Sequence, residues 1–196
     1  MKSEAIAFGV AGILFGLIAG WIIGSQQAAT GRPAQATPAP SAAAGSPRAA
    51  ALDQAKVNAF ESVADREPTN PTPRVQLGNL YYDAERYDDA IRWYSEALKL
   101  SPDDVDVSTD LGVAYYYTSQ PDRALEQFER SLALNPKHTK SLLNLGIVRA
   151  FGKQDLKGAE EAWSHVVALA PDSPEGQAAR RALDSLRSAH PGGAAP

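Results

Sequence analysis

The chain has 196 residues, a formal net charge of −4 and no cysteine. This length allows one ordinary domain with appended segments. The lack of cysteine excludes disulfides, thiolate metal sites, a catalytic thiol and a lipid-modified N-terminal cysteine. A mildly acidic chain also lacks the basic stripe that is typical of nucleic-acid binders. No two of the three histidines lie within one helical turn, which argues against a metal site. We therefore predict no nucleic-acid partner, no metal and no cofactor.

A long apolar segment follows a short N-terminal flank, residues 1–4. Residues 5–24 contain no charged side chain. At ~1.5 Å rise per residue, a helix of this length spans the ~30 Å hydrocarbon core of a bilayer. A cleaved signal peptide, the alternative that we favour less, has a shorter apolar core of roughly 7–15 residues and a small-residue cleavage site. We predict a transmembrane helix that acts as an uncleaved signal anchor.

The charges beside this segment predict its orientation. Lys2 and the α-amine precede it together with Glu4, whereas no charge follows it before Arg32. Because positive charge is enriched on the cytoplasmic side, the N-terminus is expected in the cytoplasm and the rest of the chain outside it.

Glycines recur every fourth residue along the apolar segment, at Gly12, Gly16, Gly20 and Gly24. A spacing of four keeps them on one helix face, where a second helix can approach closely. The alternative is that glycine is simply common in membrane helices. We favour a packing face for another transmembrane helix, from a second copy or from a different protein.

The next segment, residues 25–48, consists mainly of Ala, Pro, Ser, Gly, Gln and Thr and has no large apolar residue. Such a segment cannot bury enough surface to offset the entropy lost on ordering. We predict a flexible linker here, and a disordered tail at residues 191–196.

The remainder of the chain repeats with a period of 34 residues. The repeated positions are Leu77-Gly78, Leu111-Gly112 and Leu145-Gly146; Tyr81 and Tyr115; Ala90 and Ala124; Tyr94 and Phe128; and Pro68, Pro102 and Pro136. Pro171 follows after 35 residues, so the third unit has one extra residue, and Ala159 and Trp163 keep the shifted frame. A fixed period of this length indicates stacked helical hairpins. We expect the aromatic residues of the second helices to fill the seam to the next repeat.

This pattern of Leu-Gly, an aromatic residue, Ala, a second aromatic residue and Pro resembles the tetratricopeptide repeat. The resemblance implies an all-α, right-handed superhelical solenoid of three helix–turn–helix units, preceded by the transmembrane helix. The units are residues 71–104, 105–138 and 139–173, with capping helices in residues 49–70 and 174–190. The pattern predicts eight helices, at residues 50–66, 72–84, 87–100, 104–118, 121–134, 138–152, 155–170 and 174–189.

The resemblance also implies that partners bind the concave groove formed by the first helix of each unit. The groove positions of the family fall on Gln76, Asn79, Tyr82 and Asp83; on Asp110, Val113, Tyr116 and Tyr117; and on Lys140, Asn144, Ile147 and Phe151. The four aromatic residues of this set are expected to form a floor for an extended peptide or a partner helix, since aromatic side chains are favoured interface anchors. The alternative is that some of them pack against the neighbouring helix.

Chaperone-binding members of the family hold a C-terminal carboxylate with a clamp of Lys, Asn, Asn, Lys and Arg. The matching positions are Val75, Asn79, Asp110, Lys140 and Asn144. Only Asn79 and Lys140 fit, and Asp110 has the wrong charge. We therefore expect a partner that is neutral or mixed in charge.

No catalytic motif accompanies the repeats, and we predict that the chain is not an enzyme. The layout resembles bacterial anchored repeat proteins, such as the tetratricopeptide-repeat subunits of cytochrome c maturation and other envelope-assembly systems. This resemblance implies an inner-membrane protein with its repeats in the periplasm. We predict a membrane-anchored adaptor, scaffold or assembly factor that binds protein partners. The alternative is a structural accessory subunit of a larger integral-membrane complex, packed through its glycine-spaced helix.

Overall fold

The structure is a computed structural model, and it describes residues 51–189. These residues form eight helices and no strand: α1 (Gln54–Arg66), α2 (Thr72–Asp83), α3 (Tyr87–Leu100), α4 (Val105–Tyr117), α5 (Pro121–Leu134), α6 (Thr139–Ile147), α7 (Leu156–Leu169) and α8 (Pro174–Ala189). The eight predicted helices are therefore confirmed. The predicted transmembrane helix with its glycine face, the linker and the C-terminal tail lie outside the described residues. None of the helices from α1 to α8 combines the length and the apolar character that a bilayer span requires.

The helices stack as three hairpins, α2–α3, α4–α5 and α6–α7, each packed against the next. Helix α1 packs on α2, and α8 packs on α7 and α6, so both ends are capped by a further helix. Helix α1 begins at Gln54 rather than at residue 50, because the carboxylate of Asp53 accepts a hydrogen bond from the Lys56 backbone N–H at 3.1 Å. The arrangement is a solenoid-like stack of helical hairpins, and its right-handed sense stays a prediction.

A glycine of each first helix lies under an aromatic ring of the second helix of the same hairpin. Gly112 illustrates the fit, since a Cβ there would lie 2.6 Å from the Phe128 ring. Tyr94 covers Gly78 and Trp163 covers Gly146 in the same way. The sequence-based expectation placed these rings at the seam to the next repeat. The structure shows in addition that each ring lies against its own hairpin, where only a residue without a side chain leaves room for it.

The turns inside the hairpins locate the extra residue of the third repeat. Glu85, Ser119 and Gln154 all adopt a left-handed backbone, with φ of 57°, 60° and 57°. The second interval between them is one residue longer than the first. Between Ser119 and Gln154, a π-helical turn at Val148–Gly152 continues α6. A π-helical turn takes up one residue more than an α-helical turn. The predicted uninterrupted helix at residues 138–152 therefore ends as an α-helix at Ile147.

Candidate functional site

Three tyrosines meet where the first two repeats adjoin. Tyr82 is the penultimate residue of α2, Tyr117 ends α4 and Tyr87 begins α3. The rings of Tyr87 and Tyr117 are stacked with centroids 4.5 Å apart. Tyr82 meets both edge-on, with its centroid 5.4 Å from that of Tyr87 and 6.0 Å from that of Tyr117. We call Tyr82, Tyr87 and Tyr117 the tyrosine cluster. Tyr87 was missed by the sequence reasoning, which sought groove residues on first helices alone.

The phenol groups of this cluster remain neutral well above physiological pH. Burial, together with the neighbouring Tyr117, raises the pKa of Tyr87 to about 12. Burial also raises the pKa of Tyr82 far above its ordinary value. The cluster therefore carries neutral hydroxyl groups rather than phenolate charges.

Tyr116 extends the cluster toward the third repeat. Its ring centroid lies 6.3 Å from that of Tyr117. A Cβ at Gly152 would lie 3.3 Å from Tyr116 Cε2, so the Tyr116 ring lies against the π-helical turn. Phe151 is 38% exposed and forms no ring contact with these tyrosines in the described part of the chain. The prediction for Phe151 assumed that the α-helix continues to this residue. The π-helical turn instead rotates Phe151 relative to the residues before it.

The predicted polar residues of the groove largely bond to one another or to the core. Asn79 accepts a hydrogen bond from the Tyr94 hydroxyl at 2.7 Å. Lys140 Nζ donates to Asp110 Oδ1 at 2.7 Å. Burial raises the pKa of Asp110, and the Lys140 ammonium partly offsets that rise. The two clamp residues that matched the family, Asn79 and Lys140, are thus engaged inside the domain.

Two of the predicted groove residues in the third repeat are buried. Asn144 is buried and donates from Nδ2 to the Lys140 backbone carbonyl at 2.9 Å. Ile147 is also buried, and α8 packs against their helix. Gln76 and Val113 are half-buried, and Asp83 is exposed. The exposed member of the predicted groove residues in the first two repeats is thus Asp83, next to Tyr82 in the chain.

A second polar group, which the sequence reasoning missed, lies between the second and third repeats. Thr109, Ser131 and Ser141 are fully buried, and their hydroxyl groups lie 2.6 to 3.0 Å apart. His138 Nδ1 lies 2.6 Å from Ser141 Oγ, and its Nε2 lies 3.2 Å from Asp106 Oδ1. We call the three hydroxyl residues the hydroxyl triangle. The Ser-His-Asp combination is not a nucleophile site, because the Ser141 hydroxyl is inaccessible to a substrate.

Two family models match the described hairpins. A TPR repeat model matches residues 78–119, and a tetratricopeptide repeat model matches residues 109–174. The hairpins match tetratricopeptide repeats. Such repeats are in general non-catalytic modules for protein–protein interaction. No curated protein matches the chain.

Solved structures support the same assignment. The first TPR domain of Spaghetti (RPAP3), bound to the HSP90 peptide SRMEEVD, gives a TM-score of 0.56 at 26% identity, with 61% of this chain and 94% of that chain covered. The Sgt2 TPR domain from Aspergillus fumigatus gives a TM-score of 0.56 at 26% identity, with 64% of this chain and 85% of that chain covered. MamA gives a TM-score of 0.56 at 18% identity, with 67% of this chain and 85% of that chain covered. At this identity, the likeness shows the fold alone.

Proposed function

We propose that this chain is a membrane-anchored adaptor that recruits protein partners through the concave groove of its repeats. The observation that carries the proposal is the tyrosine cluster, which joins the first two repeats. Tyrosine supplies a large amphipathic contact area, and interface hot spots are enriched in it. Helical repeats of this kind are known as interaction modules, which fits the same role.

The partner of this groove should differ from that of the solved relative bound to an acidic peptide. That relative, the first TPR domain of Spaghetti (RPAP3), was solved with the HSP90 peptide SRMEEVD. In this chain, Asp110 replaces a clamp residue, and its carboxylate holds Lys140. A carboxylate at this position repels an acidic peptide terminus, so we propose a partner segment that is neutral or basic where it meets the groove.

The proposed anchor is the uncharged segment at residues 5–24, and the linker at residues 25–48 would tether the repeats beside the membrane. The flanking charges favour repeats outside the cytoplasm. The layout, which resembles bacterial anchored repeat proteins, favours the periplasmic side of an inner membrane. Alkaline carbonate extraction and protease accessibility of intact spheroplasts test this arrangement. Release of the intact chain by carbonate, or protection of the repeats in spheroplasts, would contradict it.

The groove is tested with the full-length chain carrying Tyr116→Ala and Tyr117→Ala. Cross-linked partners should be lost from this variant, because both rings are part of the proposed contact. Leu134→Ala is the matched control, since Leu134 is 44% exposed and lies on the second helix of its hairpin. Thermal unfolding of each variant checks that the repeats stay folded. Retention of every partner by the folded tyrosine variant would show that the groove assignment is wrong.

The spacing of Gly12, Gly16, Gly20 and Gly24 favours a second possibility, a structural subunit of a larger integral-membrane complex. In that case the glycine face packs against another transmembrane helix. Replacing Gly16 and Gly20 with Leu should then release the chain from the complex, whereas Leu14→Ala and Leu17→Ala should not. Unchanged co-purification of the glycine variant would argue for the adaptor alone.

A further inference from the structure

Two acidic residues lie at an electrostatically unfavourable position beside the tyrosine cluster. Asp83 is the last residue of α2, and Glu85 follows it in the left-handed turn. The C-terminal end of a helix carries a partial negative charge, which basic residues ordinarily offset. The last turn of α2 contains no basic residue. Both carboxylates therefore add negative charge to an end of the helix that is already negative.

Neither carboxylate is neutralised within residues 51–189, where no ion pair includes Asp83 or Glu85. The basic groups of the same region are engaged elsewhere, since Arg86 pairs with Asp89 and Lys140 pairs with Asp110. Burial, together with the charge of Asp110, raises the pKa of Asp83. An added positive charge would relieve the repulsion at this end of α2.

A cleft of about 610 Å³ opens beside Glu85, which contributes to its lining. Its volume is within the ~300–1,000 Å³ range of ordinary ligand pockets. It lies between the turn of the first hairpin and the turn of the second, and the stacked rings of Tyr87 and Tyr117 contribute to its wall. The lining residues are Glu85, Arg86, Tyr87, Asp88, Asp89, Tyr117, Thr118, Ser119 and Gln120. Charge and aromatic surface are thus combined in one open cleft.

The guanidinium group of arginine satisfies both features of this cleft. It is planar and can lie on a tyrosine ring, and its N–H groups can bond a carboxylate through two parallel hydrogen bonds. A lysine ammonium offers the charge without the planar fork, and a carboxylate is repelled. The second repeat carries Tyr117 and Ser119 at the positions equivalent to Asp83 and Glu85. The acidic pair is therefore specific to the first repeat.

We propose that the tyrosine cluster, with Asp83 and Glu85, receives an arginine side chain of the protein partner. This inference rests on the proposed partner-binding function of the groove and names the chemistry of its occupant. The arginine lies in the cleft against the rings of Tyr87 and Tyr117, where its guanidinium group pairs with the Glu85 carboxylate. Asp83 adds negative charge at the end of α2.

The proposal is tested by calorimetric titration of the full-length chain in detergent micelles with synthetic peptides. The peptides share an uncharged sequence of alanine and proline and differ at one central residue, which is arginine, lysine, citrulline or glutamate. Citrulline has the shape of arginine without its charge. We expect the arginine peptide to bind about tenfold more tightly than the citrulline peptide, with lysine intermediate and glutamate weakest. The difference should shrink as salt is added.

A pair of variants assigns the effect to the acidic pair. Asp83→Asn with Glu85→Gln should abolish the preference for arginine over citrulline. Asp103→Asn with Glu126→Gln removes the same charge from exposed positions elsewhere and should leave the preference intact. Equal affinity for the arginine and citrulline peptides, or no binding of any peptide, overturns the inference.

The chain's own residues 25–48 contain Arg32 and Arg48 and could occupy the cleft instead. If the arginine peptide binds only after Arg32→Gln and Arg48→Gln, the occupant is this segment, and the proposal of a separate partner is overturned. The partner-binding function is judged separately, by the loss of cross-linked partners from the Tyr116→Ala and Tyr117→Ala variant. If that variant loses its partners but the peptides show no preference for arginine, the partner-binding function is supported and the arginine occupant is rejected.

Discussion

The two inner junctions of the repeat stack use the same positions but different chemistry. Between the first and second repeats, those positions carry Val75, Ala97 and Val107, which belong to or pack against the hydrophobic core. Thirty-four residues further on, between the second and third repeats, they carry the three residues of the hydroxyl triangle, Thr109, Ser131 and Ser141. All three hydroxyl residues are fully buried, as Ala97 and Val107 nearly are.

We call the junction between the first two repeats the apolar junction and the next one the hydroxyl junction. The hydroxyl junction differs because each of its buried hydroxyl groups needs the others as hydrogen-bond partners. Thr109 and Ser131 both reach the Val105 backbone carbonyl, at 2.8 and 3.0 Å, and Ser141 reaches His138. A buried hydroxyl group that loses its partner retains the full cost of leaving water. Apolar side chains have no such directional requirement. We therefore expect the hydroxyl junction to resist displacement of one repeat along the next more strongly than the apolar junction does.

The largest change in the free energy of unfolding is expected from placing a hydroxyl group in the apolar junction. Val107→Ser removes apolar volume and buries a hydroxyl group among apolar neighbours, which should lower the free energy of unfolding by about 2–3 kcal/mol. Val107→Ala is the control that removes only the apolar volume. Urea unfolding followed by circular dichroism should show Val107→Ser to be the less stable of the two. Equal stability would mean that this junction accepts hydroxyl groups as readily as the next one.

A smaller loss of unfolding free energy is expected when one hydroxyl group is removed from the hydroxyl triangle. Thr109→Val keeps the shape of the side chain but leaves Ser131 and Ser141 with fewer hydrogen-bond partners. This should cost about 1–2 kcal/mol of unfolding free energy. Thr118→Val is a matched control, because Thr118 is only half-buried and bonds within its own turn. The interdependence of the triangle would be refuted if both variants lost the same small amount.

Replacing all three hydroxyl groups together should lower the unfolding free energy less than replacing one of them does. The triple variant Thr109→Val, Ser131→Ala and Ser141→Val gives the second junction the residues of the first, and no hydroxyl group is left unpaired. Its unfolding free energy should lie within about 1 kcal/mol of that of the wild type. Additive losses from the three single variants would show instead that each hydroxyl group stabilises the junction independently.

The smallest effect is expected at the solvent-exposed end of the network. The Asp106 side chain is 76% exposed and lies 3.2 Å from His138 Nε2. Asp106→Asn keeps a hydrogen-bond acceptor there and should change the unfolding free energy by less than about 0.5 kcal/mol. His138→Ala, which removes the partner of the buried Ser141, should cost more. Reversal of this order in urea unfolding would place the stabilising contact at the surface rather than in the junction.

Much of the fold could be predicted because its signals are local. Proline and the hydrophobic period mark the helix limits, and all eight helices occur where the period placed them. The glycine positions were also identified from the period, although the period did not show that an aromatic ring of the same hairpin covers each glycine. The extra residue of the third repeat was counted correctly, but nothing in the sequence showed that a π-helical turn accommodates it.

The candidate site was predicted only in part, for a related reason. Tyr82, Tyr116 and Tyr117 were placed in the groove from repeat positions, and that assignment stays a prediction. Tyr87 could not be added from the same positions, because it begins a second helix and reaches Tyr117 from the neighbouring repeat.

The sequence by itself determined the repeat, its period and the helices, because hydrophobic spacing and helix-ending residues act over a few positions. Only the tertiary structure decided which side chains meet across the repeats. Thr109, Ser131 and Ser141 are separated by up to 32 residues, yet their hydroxyl groups lie within 3.0 Å of one another. A period specifies equivalent positions, whereas the packing of neighbouring helices determines whether such positions are closed by apolar contact or by hydrogen bonds.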